Sequence, residues 1–261
     1  MNSPAEILSL LIAWSVKKTG YTFKSLFILS LFAGMFIALG AVFFTTITAF
    51  STNQGTFKVI GGICFSLGLI LVVLTGAELF TGNNLMIAAV AERKITTADM
   101  MKNWLTTYIG NLLGSLIVVM LVYFSQHHLI GDGKVANHMI AIAENKVNLP
   151  FFTALSKGVL CNLLVCLAVL ISQAAKSVPG KILCILFPIT AFVAMGFEHS
   201  VANMFFIPMG MMVQGPYMPP ITTYQFLFSN LLPVTIGNII GGTILAGLLY
   251  QQAWSKPTGE L

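Results

Sequence analysis

The chain has 261 residues, of which 57% are hydrophobic and 8% charged. A soluble domain carries about 25% charged residues, so this composition excludes an ordinary water-soluble fold and indicates an integral membrane protein. The formal net charge of +5 comes from basic residues dispersed among the connections and gives no basis for nucleic-acid binding.

At the N-terminus, Ser3-Pro4-Ala5-Glu6 reads as a helix start: Ser as cap, Pro at the first position, Glu three residues after the cap. The helix closes at Lys17-Lys18 and Gly20. Too short to cross a bilayer, residues 1–20 are expected to form an interfacial helix on the cytoplasmic face. Apolar stretches follow at 25–50, 59–77, 103–126, 158–175, 182–197 and 226–253. Each is near the ~20 residues that a helix needs to cross ~30 Å of hydrocarbon. The period-two alternation of a membrane barrel is absent, which leaves helices as the spanning structure. The expected fold is an all-α integral membrane protein with six transmembrane helices. It divides into a first three-span repeat (21–126), an extracytoplasmic connection (127–152), a second three-span repeat (153–254) and a cytoplasmic tail (255–261).

Basic residues orient this arrangement. Lys17, Lys18, Lys24, Arg93, Lys94, Lys102, Lys176, Lys181 and Lys256 fall on one side, and only Lys58, Lys134, Lys146 and Lys157 on the other. The positive-inside rule then places both termini in the cytoplasm. Cys64, Cys161, Cys166 and Cys184 lie within apolar runs without a C-x-x-C pair or a His cluster. They read as small buried hydrophobes, with no metal or cofactor implied.

The two halves resemble each other. Gly76–Asn83 is GAELFTGN and Gly196–Asn203 is GFEHSVAN, sharing Gly, Glu and Asn at equal spacing. Ile109–Ser115 (IGNLLGS) and Ile236–Gly242 (IGNIIGG) form a second pair in the same order. Three spans per half is an odd number, so the second half enters the membrane inverted. Such inverted repeats place a permeation or binding site near the midplane, where discontinuous helices meet. Both GxE segments read as helix breaks, with Thr81–Asn84 poor helix material in the first half and Glu198–Ser200 dividing the run in the second, which interrupts the second and fifth spans. Irregular backbone at that depth is tolerated where protein buries it or where it lines a water-filled cavity.

An ionisable residue at the centre of a membrane helix costs about 2.5–3.5 kcal/mol on insertion scales, so each requires a reason. Glu78 and Glu198, with Asn83 and Asn203, read as support for the breaks, the carboxylates accepting backbone N–H groups. His199 has Leu79 as its counterpart, so repeat symmetry does not demand it; the alternatives are a functional imidazole and a neutral one bonded to a backbone carbonyl. Thr81 could offer its hydroxyl to the same midplane site or bond its own helix backbone. Asn111 and Asn238 are accounted for by interhelical hydrogen bonds, and the Gly110/Gly114 and Gly237/Gly241 pairs by close helix packing.

GAELFTGN, VLCNLLVCLAV (159–169), GFEHSVANMFFIPMG (196–210) and PVTIGNIIGG (233–242) together resemble the formate/nitrite transporter family over roughly Gly20–Tyr250. The resemblance implies an aquaporin-like protomer, a homopentamer with one pore per subunit, and passage of formate, nitrite or hydrosulfide through the bacterial inner membrane. It further implies a central pair, His199 and Thr81, and hydrophobic constrictions at Phe65, Leu69, Leu79, Phe80 and Phe192. Lys146 and Asn162 match positions at the pore and its approach, and the N-terminal helix matches a segment linked to pH-dependent gating. The expected function is a channel for small monovalent anions of weak acids. A bare anion in a dry constriction faces a penalty of tens of kcal/mol, and protonation near His199 removes it. A proton-coupled symporter of the same anions is the alternative. An enzyme is not expected, since Ser200 beside His199 makes no catalytic dyad and no metal-ligand spacing is present.

Overall fold

The computed structural model describes residues 1–50, 54–216 and 218–255. Lys256 and all of the 255–261 tail except Ser255 lie outside the described residues. Besides a 3-10 turn at His127–Leu129, the described residues form ten helices in order: α1 (Pro4–Thr19), α2 (Phe23–Thr48), α3 (Gln54–Thr75), α4 (Phe80–Ala91), α5 (Thr97–Phe124), α6 (Lys134–Val147), α7 (Phe151–Ser172), α8 (Val178–Ala194), α9 (Ser200–Val213) and α10 (Gln225–Trp254). Among the described residues, α2, α3, α5, α7 and α10 are long and apolar enough to cross a membrane, whereas α4, α8 and α9 are shorter apolar helices. The protein is an all-helical, multi-pass membrane protein.

Helix α2 packs on α3 and α5, α7 packs on α8 and α10, and α3 packs on α8. Glycine permits the closest of these approaches: a Cβ on Gly114 would run into the carbonyl of Leu31, and one on Gly241 into that of Val159. A continuous apolar core runs through the centre, from Ile37 on α2 through Phe65 and Phe192 to Phe205 on α9.

The breaks after α3 and α8 have one cause. Gly76 (φ 73°) and Gly196 (φ 68°) take the left-handed conformation that ends a helix, which a side chain would strain. The next amide closes the turn in each case, Ala77 N–H onto Val72 O at 3.1 Å and Phe197 N–H onto Phe192 O at 3.0 Å. The chain then turns at Glu78-Leu79 or Glu198-His199 and re-enters a helix.

Three features differ from the sequence expectation. First, α1 begins at the expected capping box, but its apolar side is covered by protein. Ile7, Leu8 and Leu11 pack with Leu85, Leu170 and Ala246, and Asn2 N–H donates to Ala174 O at 3.0 Å. Second, the 127–152 connection contains the amphipathic helix α6, whose buried residues include Val135, Met139, Ala143 and Val147. This helix lies on α9. Third, α10 widens to π-helical geometry at Gln225–Leu231 and Gly241–Leu248.

Candidate functional site

At the restart of each broken helix the first amide is capped from a distant helix. Asn111 on α5 accepts from Phe80 N–H (2.9 Å) and donates to the carbonyls of Ser30 and Glu78. Asn238 on α10 accepts from Ser200 N–H (2.8 Å) and donates to the carbonyls of Gly158 and Glu198. These asparagines do what was expected of the two glutamates, which bond instead to side chains. Glu78 accepts from Asn83 Nδ2 (2.7 Å) and pairs with Lys18 (3.1 Å). Glu198 accepts from Asn203 Nδ2 (2.7 Å) and pairs with Lys146 (2.9 Å). Asn83 and Asn203 also donate to Asn103 and Asn230, respectively. Each carboxylate is thus buried with a cation and an amide donor, the condition under which a buried charge persists.

The N-termini of α4 and α9 carry the two residues that meet. Thr81 Oγ1 and His199 Nε2 are 2.9 Å apart, both buried. His199 also caps α9, its Nδ1 accepting from Ala202 N–H at 3.0 Å. An amide N–H can only donate, so Nδ1 carries no proton and the single ring proton resides on Nε2. The imidazole is therefore neutral, with Nε2–H directed at Thr81. Behind Thr81, its carbonyl accepts from Asn162 Nδ2 (3.2 Å) and Cys166 Sγ (3.4 Å).

Cavities lie on either side of this pair. The first, about 290 Å³, is bordered by Lys18 of α1, by Leu69 and Leu79, and by Glu78, Asn83 and Met86. The second, about 130 Å³, is bordered by Lys146 of α6, by Phe65, Phe192 and Phe206, and by Glu198 and His199. Phe65 and Leu69 are one turn apart on α3, so a single turn of helix divides the two linings. The linings correspond residue for residue at the breaks: Gly76 with Gly196, Glu78 with Glu198, Leu79 with His199, Asn83 with Asn203 and Met86 with Phe206. The second is smaller because it holds Phe192, Phe197 and Phe206 where the first holds Val72, Ala77 and Met86.

The family model of the formate/nitrite transporters matches residues 5–252. The chain belongs to the formate/nitrite transporter family. It is 42% identical over 253 residues to the formate channel FocA of Escherichia coli strain K12, covering 90% of this chain and 87% of that protein. It is 41% identical over 259 residues to the uncharacterized transporter YrhG of Bacillus subtilis, covering 97% and 94%. Among solved structures it resembles a pentameric formate channel with formate bound (TM-score 0.80, 34% identity, 90% of this chain and 98% of that one). It also resembles an FNT family ion channel (TM-score 0.87, 28% identity, 97% and 99%). These relatives are channels and transporters, which supports anion-channel function and accords with a non-enzymatic protein.

Of the residues that family resemblance singled out, the structure brings together His199, Thr81, Phe65, Phe192, Leu69, Leu79 and Lys146, at the pair or along the cavities. Two others border neither of these cavities. Phe80 lines neither cavity; its ring meets Tyr108 edge-on at 4.9 Å and Trp104 at 6.0 Å, against α5. Asn162 lines neither and holds Thr81 from behind. Sequence reasoning passed over Lys18 and Phe206. Lys18 stands 60 residues ahead of Glu78, and only the docking of α1 brings it there. Phe206 was detectable, since it lies seven residues after His199 and so on the same helical face.

Proposed function

We propose that this protein is a channel for small monovalent anions of weak acids, formate first among them, with hydrosulfide and nitrite sharing the necessary chemistry. The observation that carries this is the meeting of two helix N-termini at Thr81 and His199, with a cavity and apolar side chains on each side. Positive helix ends favour a negative charge at that point. Beyond it, Phe65 and Phe192 on one side and Leu69 and Leu79 on the other favour an uncharged species. A weak acid can be both, and chloride effectively cannot. The similarity to formate channels supports formate as a substrate.

The hydrogen bonds at His199 refine its part. Donating its ring proton would leave an imidazolate unless Nδ1 were protonated, which would set N–H against the Ala202 N–H that Nδ1 now accepts from as the cap of α9. His199 is therefore read as a fixed hydrogen-bond donor that holds the anion through Nε2–H, while the neutralising proton arrives through water in a cavity. The symporter alternative moves the same proton and anion, and differs in requiring alternating access.

We read the architecture as two inverted repeats, 21–126 and 153–254, with α3–α4 and α8–α9 as interrupted second and fifth spans. The recurrence of Gly, Glu and Asn in both breaks supports it. A homopentamer in the inner membrane with cytoplasmic termini accords with the pentameric neighbour and the basic-residue count.

The test is formate and proton flux measured together in proteoliposomes holding wild type, H199Q or H199F. Loss of a proton relay costs about 100-fold or more. As a fixed donor, His199→Gln keeps proton-accompanied flux within about tenfold, and His199→Phe, which removes a hydrogen bond to a charged group, loses about 10- to 100-fold. Collapse of H199Q to the level of H199F would return the relay role to the imidazole, and absence of formate flux in wild type would sink the channel itself.

A further inference from the structure

We propose that Phe206 is a specificity-determining residue: a third ring of the constriction on the Lys146 side, setting the largest acid that can pass there. The inference rests on the channel reading above. Phe206 projects from α9 into the smaller cavity, beside His199 and Ala202 on the same helical face. Its ring stacks on Phe65 (centroids 6.3 Å, interplanar angle 19°). Phe65 meets Phe192 edge-on at 5.8 Å, and Phe192 lies over the His199 imidazole at 6.0 Å. Phe206 is thus a member of a continuous aromatic wall that ends at the central pair.

A cation lies over the ring. Lys146 Nζ sits 5.3 Å from the Phe206 centroid while bonded to Glu198 at 2.9 Å. The negative face of an aromatic ring attracts an ammonium group. Phe206 therefore holds the ammonium at the cavity and is itself held against Phe65. Phe44 braces it from α2, edge-on at 5.8 Å. A solute passing from Lys146 to His199 has to clear this ring.

The other half of the chain supplies an internal comparison. Met86 occupies the position matching Phe206 and likewise lines a cavity, the one of about 290 Å³ against about 130 Å³. The position faces a cavity in both halves, and the half with the ring has less room. One methylene in an apolar pocket discriminates by about 10- to 200-fold, so a ring at this point separates formate from acids one or two carbons longer.

The experiment compares formate, acetate and lactate uptake by the full chain in proteoliposomes, for wild type, F206M and F206A. The acetate-to-formate flux ratio is expected to rise at least about fivefold in F206A, and by a smaller factor in F206M. An unchanged ratio in F206M overturns the proposal even if F206A fails to assemble, because methionine is the side chain already accommodated at the matching position. Formate flux in wild type separates the two readings: if it is present and the ratio does not move, only the role of Phe206 falls, whereas its absence removes the channel reading as well.

Discussion

Asn238 takes the amide hydrogen of Ser200 and gives its own two hydrogens to the carbonyls of Gly158 and Glu198; Asn111 does the same for Phe80, Ser30 and Glu78. Each asparagine replaces hydrogen bonds that a broken helix has lost, in a region where water is scarce. Asn238→Ala would orphan the Ser200 N–H and the Glu198 carbonyl at about 1–3 kcal/mol each, so a loss of about 2 kcal/mol or more is expected, with a similar loss for Asn111→Ala. Thermal unfolding of the detergent-solubilised protein measures it, and a drop under about 1 kcal/mol would show that the breaks are held by something else. Both asparagines were visible in the sequence as a repeated GN pair, but their partners were not, because they lie 31 to 81 residues away. The same distance problem concealed Lys18 beside Glu78 and the ring contacts of Phe80. The direction in which a ring points depends on its neighbours in space, here Trp104 and Tyr108.

The helix breaks are the elements most legible in the sequence. A glycine that tolerates positive φ followed by a glutamate marks both breaks, and both occur there, whereas the polar run Thr81–Asn84, read as part of the first break, is helical within α4. Close packing of helices is legible to a lesser degree: a small-xxx-small spacing indicates a contact face without naming its partner. The structure supplies the partner, α7 against Gly241, and with it a contrast between two glycines. Gly241→Ala would drive a methyl group into the Val159 carbonyl, whereas the nearest atom to a Cβ on Gly82 is Val169 Cγ2 at 3.8 Å. Gly241→Ala is expected to destabilise the protein by about 1–3 kcal/mol as an overpacked contact, and Gly82→Ala to leave its melting temperature unchanged or slightly raised. Equal melting temperatures for the two variants would contradict the close approach of α7 and α10. Helix α6 and the π-helical stretches escaped the sequence reading for different reasons. The apolar positions of α6 are too few to resemble a span, and a π-helical turn changes hydrogen-bond register without changing composition.

Across the whole molecule, the end of α2 is tied to the α6 side by two histidines outside the central pair. His127 Nε2 lies 2.7 Å from Thr46 Oγ1 and His138 Nε2 2.9 Å from Thr48 Oγ1. Each hydroxyl already donates to a carbonyl, of Val42 or Phe44, so the imidazoles are the donors. Burial pushes both below the ordinary 6.5, with the neighbouring His128 adding to the effect at His127. In the unfolded chain these groups gain protons as pH falls through about 6.5, and in the folded one only at lower pH. Their contribution to stability is therefore complete above 6.5 and is lost as pH falls from there to the lowered folded values. The double variant H127Q/H138Q is expected to show a shallower decline of melting temperature between pH 7 and pH 5 than wild type, and an equal decline would remove the histidines as its cause. By itself the sequence determined that the chain lives in a bilayer, where its helices break, and that its halves share a plan, because hydrophobicity, glycine conformation and repetition are local properties. Only the tertiary structure decided that Thr81 meets His199, that α1 delivers Lys18 to Glu78, and that Phe206 closes an aromatic wall under Lys146. Those contacts join residues far apart in sequence, and their energies come from burial and complementary charge, which exist only once the helices have packed.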